Sequence, residues 1–273
     1  MMCATPPAFP ATDPLNLMFQ RMLSSALFAG AAAGLVAALL HFAFVQQFIL
    51  LAEQYETGAL THFTSGPASA DAVAGGPALP DPAGSAATVH AHAAGTVAVA
   101  QSHASTTSDL QRDALTVLFM GLVYISYGML LTAGFALAES KGLRIRALQG
   151  LLWGLAGFAS FQMAPALGLA PELPGTIAAE LGARQVWWWA TVAATAMAIG
   201  LLAYGRAVWM YGAAAALLAA PHMIGAPQPD AYFGVSPPEL AASFAARVLG
   251  TGLVVWVCLG WFAGYFWARS DPA

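Results

Sequence analysis

The chain has 273 residues, a formal net charge of −4 and only 8% charged side chains, against 59% hydrophobic ones and a mean hydropathy of +0.68. An ordinary soluble domain carries about 25% charged residues, so the polar surface of a water-soluble fold is excluded, and the lack of a basic run excludes a nucleic-acid partner. The two cysteines, Cys3 in the leading tail and Cys258 in the last apolar block, exclude a disulfide framework.

The apolar residues fall in long, nearly charge-free blocks. With no water in the bilayer core, a spanning backbone must satisfy its hydrogen bonds within itself. The chain is therefore read as all-α, a multi-spanning transmembrane helix bundle. The alternation over about ten residues that a membrane β-barrel needs is not in the sequence.

Residues 1–17 form a Pro-rich leader expected to be disordered, with Met18 of MFQRML as the expected start of translation and no convincing signal-peptide cleavage site. A single transmembrane domain then occupies 18–273. Its first predicted span, 22–50, carries small residues at Ala26, Gly30, Gly34 and Ala38, a stripe suited to close helix packing. His41 lies inside this block, followed by Gln46, Gln47, Glu53 and Glu56. At about 100° per residue, Gln46 and Glu53 share a face, Glu56 lies one turn beyond, and His41 points nearer to the azimuth of Glu56 than to that of Gln46. Ionisable groups at membrane depth are costly and usually face a bundle interior or a wet cavity. For Glu56 the alternative is simple solvation of the helix end.

A loop at about 57–109 follows, rich in Ala, Gly, Ser, Thr, Pro and His. Too poor in large apolar residues to offset its ordering entropy, it is expected to be disordered. His62, His90, His92 and His103 lie in it. They read either as a metal-capture loop or as compositional drift.

The second predicted span is 114–138 and the third is 147–167. Pro165 removes a backbone donor inside the third, so a kink is expected near Gln162 and Met163, exposing an amide and a thioether. Pro171 and Pro174 then stiffen a turn that presents Glu172. The alternative reading is a kinked helix and a rigid loop without a ligand. The fourth span, 186–204, opens on Trp187, Trp188 and Trp189 behind Arg184. The fifth, 207–224, is joined to it only through Gly205 and Arg206 and ends at His222, either a ligand or a water-bonded helix end. The sixth, 244–268, carries Trp261, Tyr265 and Trp267 at its far end, where aromatic side chains suit the headgroup region. Six spans follow, or five if the short hairpin does not cross.

Placing the N-terminus inside puts Arg21, Lys141, Arg144, Arg146, Arg206 and Arg269 on the cytoplasmic side, and Arg112, Arg184 and Arg247 opposite. That distribution favours an N-in, C-in bundle. No P-loop, nucleophile elbow, His-Glu-x-x-His or Cys-x-x-Cys occurs in the sequence, and the chain is read as not an enzyme.

Five phrases carry a family resemblance: HFAFVQQFILLAEQYE (41–56), LQRDALT (110–116), FQMAPALGLAPELPG (161–175), ARQVWWW (183–189) and PHMIGAP (221–227). Through them the chain resembles the predicted cobalt transporter subunit family, CbtA, from Met18 to the last span, the middle of the outer loop excepted. The resemblance implies a bacterial inner-membrane protein linked with vitamin B12 metabolism and cobalt uptake. It also implies a small single-span partner, CbtB, bearing its own histidines. The expected metal residues are His41, Glu53, Glu56, Gln162, Met163, Glu172 and His222, with cobalt as substrate and nickel or another divalent ion as an alternative. Mixed nitrogen and oxygen ligands would hold Ni²⁺ or Cu²⁺ at least as well, so selectivity must come from geometry or ion availability. Membrane lipid and further copies of the chain are expected neighbours. The alternative function is a metal- or cofactor-binding assembly protein that does not itself translocate.

Overall fold

The computed structural model describes residues 14–62 and 106–270. Helix α1 (Pro14–Leu40) passes through a π-helical segment (His41–Val45) into α2 (Gln46–Glu56). Next come α3 (Thr106–Ser140) and α4 (Ala147–Phe158), the latter continued by a second π segment (Ala159–Met163) into the short α5 (Ala164–Ala166). Helices α6 (Leu181–Tyr204), α7 (Val208–Ile224) and α8 (Pro238–Arg269) complete the chain. Among the described residues no strand occurs; one isolated bridge pairs Thr176 with Gly234.

All six predicted apolar blocks are helical. Four runs are long and apolar enough to cross a membrane: Leu15–Glu56, Asp109–Ser140, Leu181–Tyr204 and Pro238–Arg269, with Val208–Ile224 as a shorter apolar helix. Their outward faces carry large apolar side chains such as Leu39, Phe119, Leu122 and Val208, each more than half exposed. A water-soluble monomer rarely exposes so much apolar surface, and a lipid-facing helix requires it.

Two boundaries differ from expectation. Helix α1 begins at Pro14 and takes in residues 14–17 of the expected leader; proline suits a first helical turn because its missing N–H would have had no partner there. Helix α3 begins at Thr106 and takes in residues 106–109 of the expected loop. The rest of the leader and residues 63–105, with His90, His92 and His103, lie outside the described residues.

The body of the molecule is a row of helices in the order α3, α1, α8, α4. Glycine makes the row tight. A side chain at Gly30 or Gly34 would run into the backbone of α3 at Ile125 and Gly121, and one at Gly128 would meet the carbonyl of Ala26. The expected packing stripe is thus the α1–α3 seam. On α4, Gly150 and Gly154 meet Gly260, Gly264 and the Trp256 carbonyl of α8 in the same way, backbone against backbone. Without hydrophobic drive between helices in lipid, close van der Waals contact of this kind holds them together. Helices α6 and α7 pack chiefly on each other and meet the row through α4, α5 and the second π segment.

At one end, α1, α3 and α8 are tied by charge. Arg21 donates to Glu139 at 3.0 Å and to the Trp267 carbonyl at 2.9 Å, while the Trp267 indole donates to Glu139 at 2.8 Å. The guanidinium lies 4.1 Å from the indole centroid. Trp267 is fully buried between helices, because its N–H finds Glu139 and its ring carries Arg21. Trp187 is likewise buried, donating to the Pro221 carbonyl at 3.1 Å, whereas Trp189 and Trp261 stay exposed.

At the opposite end, the loops are knitted together. Ile177 donates to the Phe233 carbonyl at 3.0 Å, Gln228 to the Gly168 carbonyl at 3.2 Å, and Leu173 is buried with Val45, Ala52 and Phe244. Glu180 caps α6, its two oxygens each accepting a 2.7 Å bond, from Gly182 N–H and Ala183 N–H. Those two backbone bonds hold its carboxyl below the usual carboxylate range.

Candidate functional site

The two π segments position the polar side chains. In the first, the Gln46 N–H bonds the His41 carbonyl, five residues back. This wider turn overrides the α-helical azimuths: His41, Gln46 and Glu53 line one cavity, although 100° steps place His41 elsewhere. The cavity, about 590 Å³, is closed on the other side by Gln111, Arg112, Leu115, Thr116 and Phe119 of α3. Gln46 donates to Asp113 at 3.2 Å. Arg112 lies 3.6 Å from Asp109 and 3.7 Å from Asp113, so the one cation on this wall is already matched by two carboxylates.

The second π segment sits where the sequence places a kink, and the cause is Pro165. Proline cannot donate to the carbonyl of Phe161 and its ring would press on that carbonyl, so the turn widens just before it. Gln162 turns its Oε1 into the notch left by Gly252 of α8; this oxygen is buried without a hydrogen-bond partner. Phe161, Gln162, Glu172, Arg184, Trp188 and Leu249 are among the residues lining a second cavity of about 410 Å³. Glu172, presented by its proline-flanked turn, accepts from Arg184 at 2.9 Å.

The expected metal residues therefore divide. His41 and Glu53 share the first cavity, and Gln162 and Glu172 the second. Met163 is exposed. Glu56 lies beside Gly175 at the end of α2. His222 lies in the last turn of α7, its ring 6.1 Å from that of Trp187. His62 is exposed just beyond α2. Among the described residues no group of three or more His, Cys, Asp or Glu side chains is close enough to hold a metal ion. Arg112, counted only among the outer-side charges, and Asp113, within LQRDALT, were not read as site residues; their signal was the acid–base run DLQRD at the start of α3, which reads first as an ordinary solvated helix end.

The model of the family described as "Probable cobalt transporter subunit (CbtA)" matches residues 19–268, most of the chain. The chain belongs to the CbtA family. No match is found among curated proteins or solved structures. CbtA membership and the apolar helices make this a transmembrane transport protein with a general role in cobalt transport, and the family's description as a subunit implies a partner. A transporter subunit needs no nucleophile or general base, so the CbtA assignment points away from catalysis.

Proposed function

We propose that this CbtA-family chain is the membrane component of a divalent metal uptake system, with cobalt as its substrate, in the inner membrane of a bacterium and serving vitamin B12 metabolism. The observation that carries this reading is the His41 cavity. It places an imidazole, a carboxamide and the Glu53 carboxylate on one wall, opposite an arginine already neutralised by Asp109 and Asp113. Such a cavity attracts a cation and offers it borderline nitrogen and oxygen ligands.

In this reading the chain crosses six times, with both termini inside and the His41 end outside. Residues 147–166 form an unbroken helical run that spans about 30 Å at 1.5 Å per residue, the thickness of the hydrocarbon core. The 17 residues of α7 make a short crossing that local bilayer thinning accommodates. Arg21, Arg146 and Arg269 then fall inside, as the positive-inside rule prefers.

His62, His90, His92 and His103 capture ions at the outer face and pass them to His41 and Glu53. Glu56, Met163 and His222 serve as further ligands along the outer rim. A small CbtB-like single-span subunit with its own histidines, or a second copy of the chain, completes a coordination sphere that His41 and Glu53 begin.

The test is cobalt accumulation by cells carrying the full chain and its partner. His41→Ala is expected to lower uptake about tenfold or more, the usual order for removing or misorienting a metal ligand, at unchanged protein level. Unchanged accumulation in both His41→Ala and Glu53→Gln counts decisively against the cavity.

A second reading, binding or assembly without translocation, is favoured by one observation: both cavities described above lie at the same end of the molecule. Proteoliposomes separate the two. Transport requires cobalt flux, whereas assembly alone predicts binding without flux.

A further inference from the structure

We propose that the Trp188 cavity holds one glycerophospholipid whose headgroup carries both a phosphate and a primary amine. It is an open groove of about 410 Å³ between the second π segment with α5, the start of α6, and α8. Phe161, Leu169, Leu181, Trp188 and Leu249 give it apolar walls. Its charged groups are Arg184 and Glu172, paired at 2.9 Å with side chains 26% and 35% exposed, open enough for each to exchange its partner. The Gln162 oxygen is buried against Gly252, away from any occupant.

Charge complementarity selects the occupant. An anionic headgroup would draw Arg184 away and leave Glu172 without a counter-charge; a cation would do the reverse. A zwitterion satisfies both, its phosphate accepting from the Arg184 guanidinium and its ammonium donating to Glu172, each bond charge-assisted. A primary amine has the N–H donors that a quaternary amine lacks. The acyl chain then lies along the Trp188 and Leu249 walls, where an indole suits the boundary between headgroup and hydrocarbon. This inference uses the membrane setting alone and is independent of what ion the chain transports.

The test uses the full chain, purified in detergent, stripped of lipid and offered equimolar phosphatidylethanolamine, phosphatidylcholine and phosphatidylglycerol, with retained lipid read by native mass spectrometry. One phosphatidylethanolamine per chain is expected, and Arg184→Gln is expected to lower its retention about tenfold, the loss of one charge-assisted contact. Arg184→Gln also unties the turn that carries Glu172. Leu249→Trp therefore serves as a second variant, filling the groove from α8 with the ion pair intact. It is expected to abolish retention while the lipid-free protein melts at the wild-type temperature. Equal retention of the three headgroups, or full retention by both variants, overturns the proposal.

Discussion

Glu180 and Glu139 are both carboxylates at the ends of membrane helices, yet their surroundings give them different work. Glu180 is fully exposed and lowered in pKa by the two N–H groups it caps. A depressed folded-state pKa stabilises above the unfolded value, and that contribution fades as the pH falls through the folded value. Glu180→Gln is therefore expected to weaken the first turn of α6 at neutral pH and to approach wild-type behaviour only once the pH has fallen through the lowered pKa of the native cap. Amide exchange at Gly182 and Ala183 checks this; a difference that persists in acid would argue against it. Glu139 instead neutralises Arg21 and receives the Trp267 indole, in a site with side-chain exposures of only 13% and 24%. Removing one partner of a largely buried pair takes from the other its closest counter-charge. Glu139→Ala is expected to cost roughly 2–3 kcal/mol, between the values for exposed and fully buried pairs. Thermal unfolding in detergent measures it, and replacing Arg21 and Glu139 together by Met should cost less than Glu139→Ala alone.

At the scale of the helical element, the π segments decide which residues meet. Deleting Ala43 from His41–Val45 converts the wide turn toward regular α-helix and swings His41 away from Gln46 and Glu53. The expected outcome is a folded protein with cobalt uptake reduced as far as in His41→Ala; normal uptake would mean that the shared wall does not matter. The two segments were not equally legible. Pro165 announces the second, because a proline must disturb the turn before it. Nothing in HFAFV announces the first, so a uniform 100° step placed His41 on the wrong azimuth. Helix positions, by contrast, followed from charge-free blocks of about 20 residues, whose length is dictated by the bilayer. The burial of Trp187 and Trp267 was not legible for a different reason: an indole's partner lies on another helix, and composition along one helix cannot report it. The glycine seams make a further prediction. Gly260→Val forces a side chain into the Gly150 and Gly154 backbone and is expected to cost about 1–3 kcal/mol or prevent folding, read as loss of the monodisperse species. A fully stable variant would show that α4 and α8 can separate.

For the whole molecule, the arrangement of ends is the main result. The Arg21–Glu139–Trp267 tie gathers one end, and the Thr176–Gly234 bridge with its neighbouring loops gathers the other. Six crossings with the N-terminus inside predict that a reporter fused to the C-terminus signals from the cytoplasmic side; with that N-terminus, an external signal would require an odd number.

The glycine seams also say where an ion cannot go. Along α1–α3 and α4–α8 the main chains already touch, so neither seam can hold a file of water without prising apart the contacts that hold the row together. A hydrated path would have to run elsewhere: between α1 and α8, beside α6, or along a flank faced by another molecule. Were the path to follow such a flank, counting subunits in the active complex would become the same experiment as locating its pore.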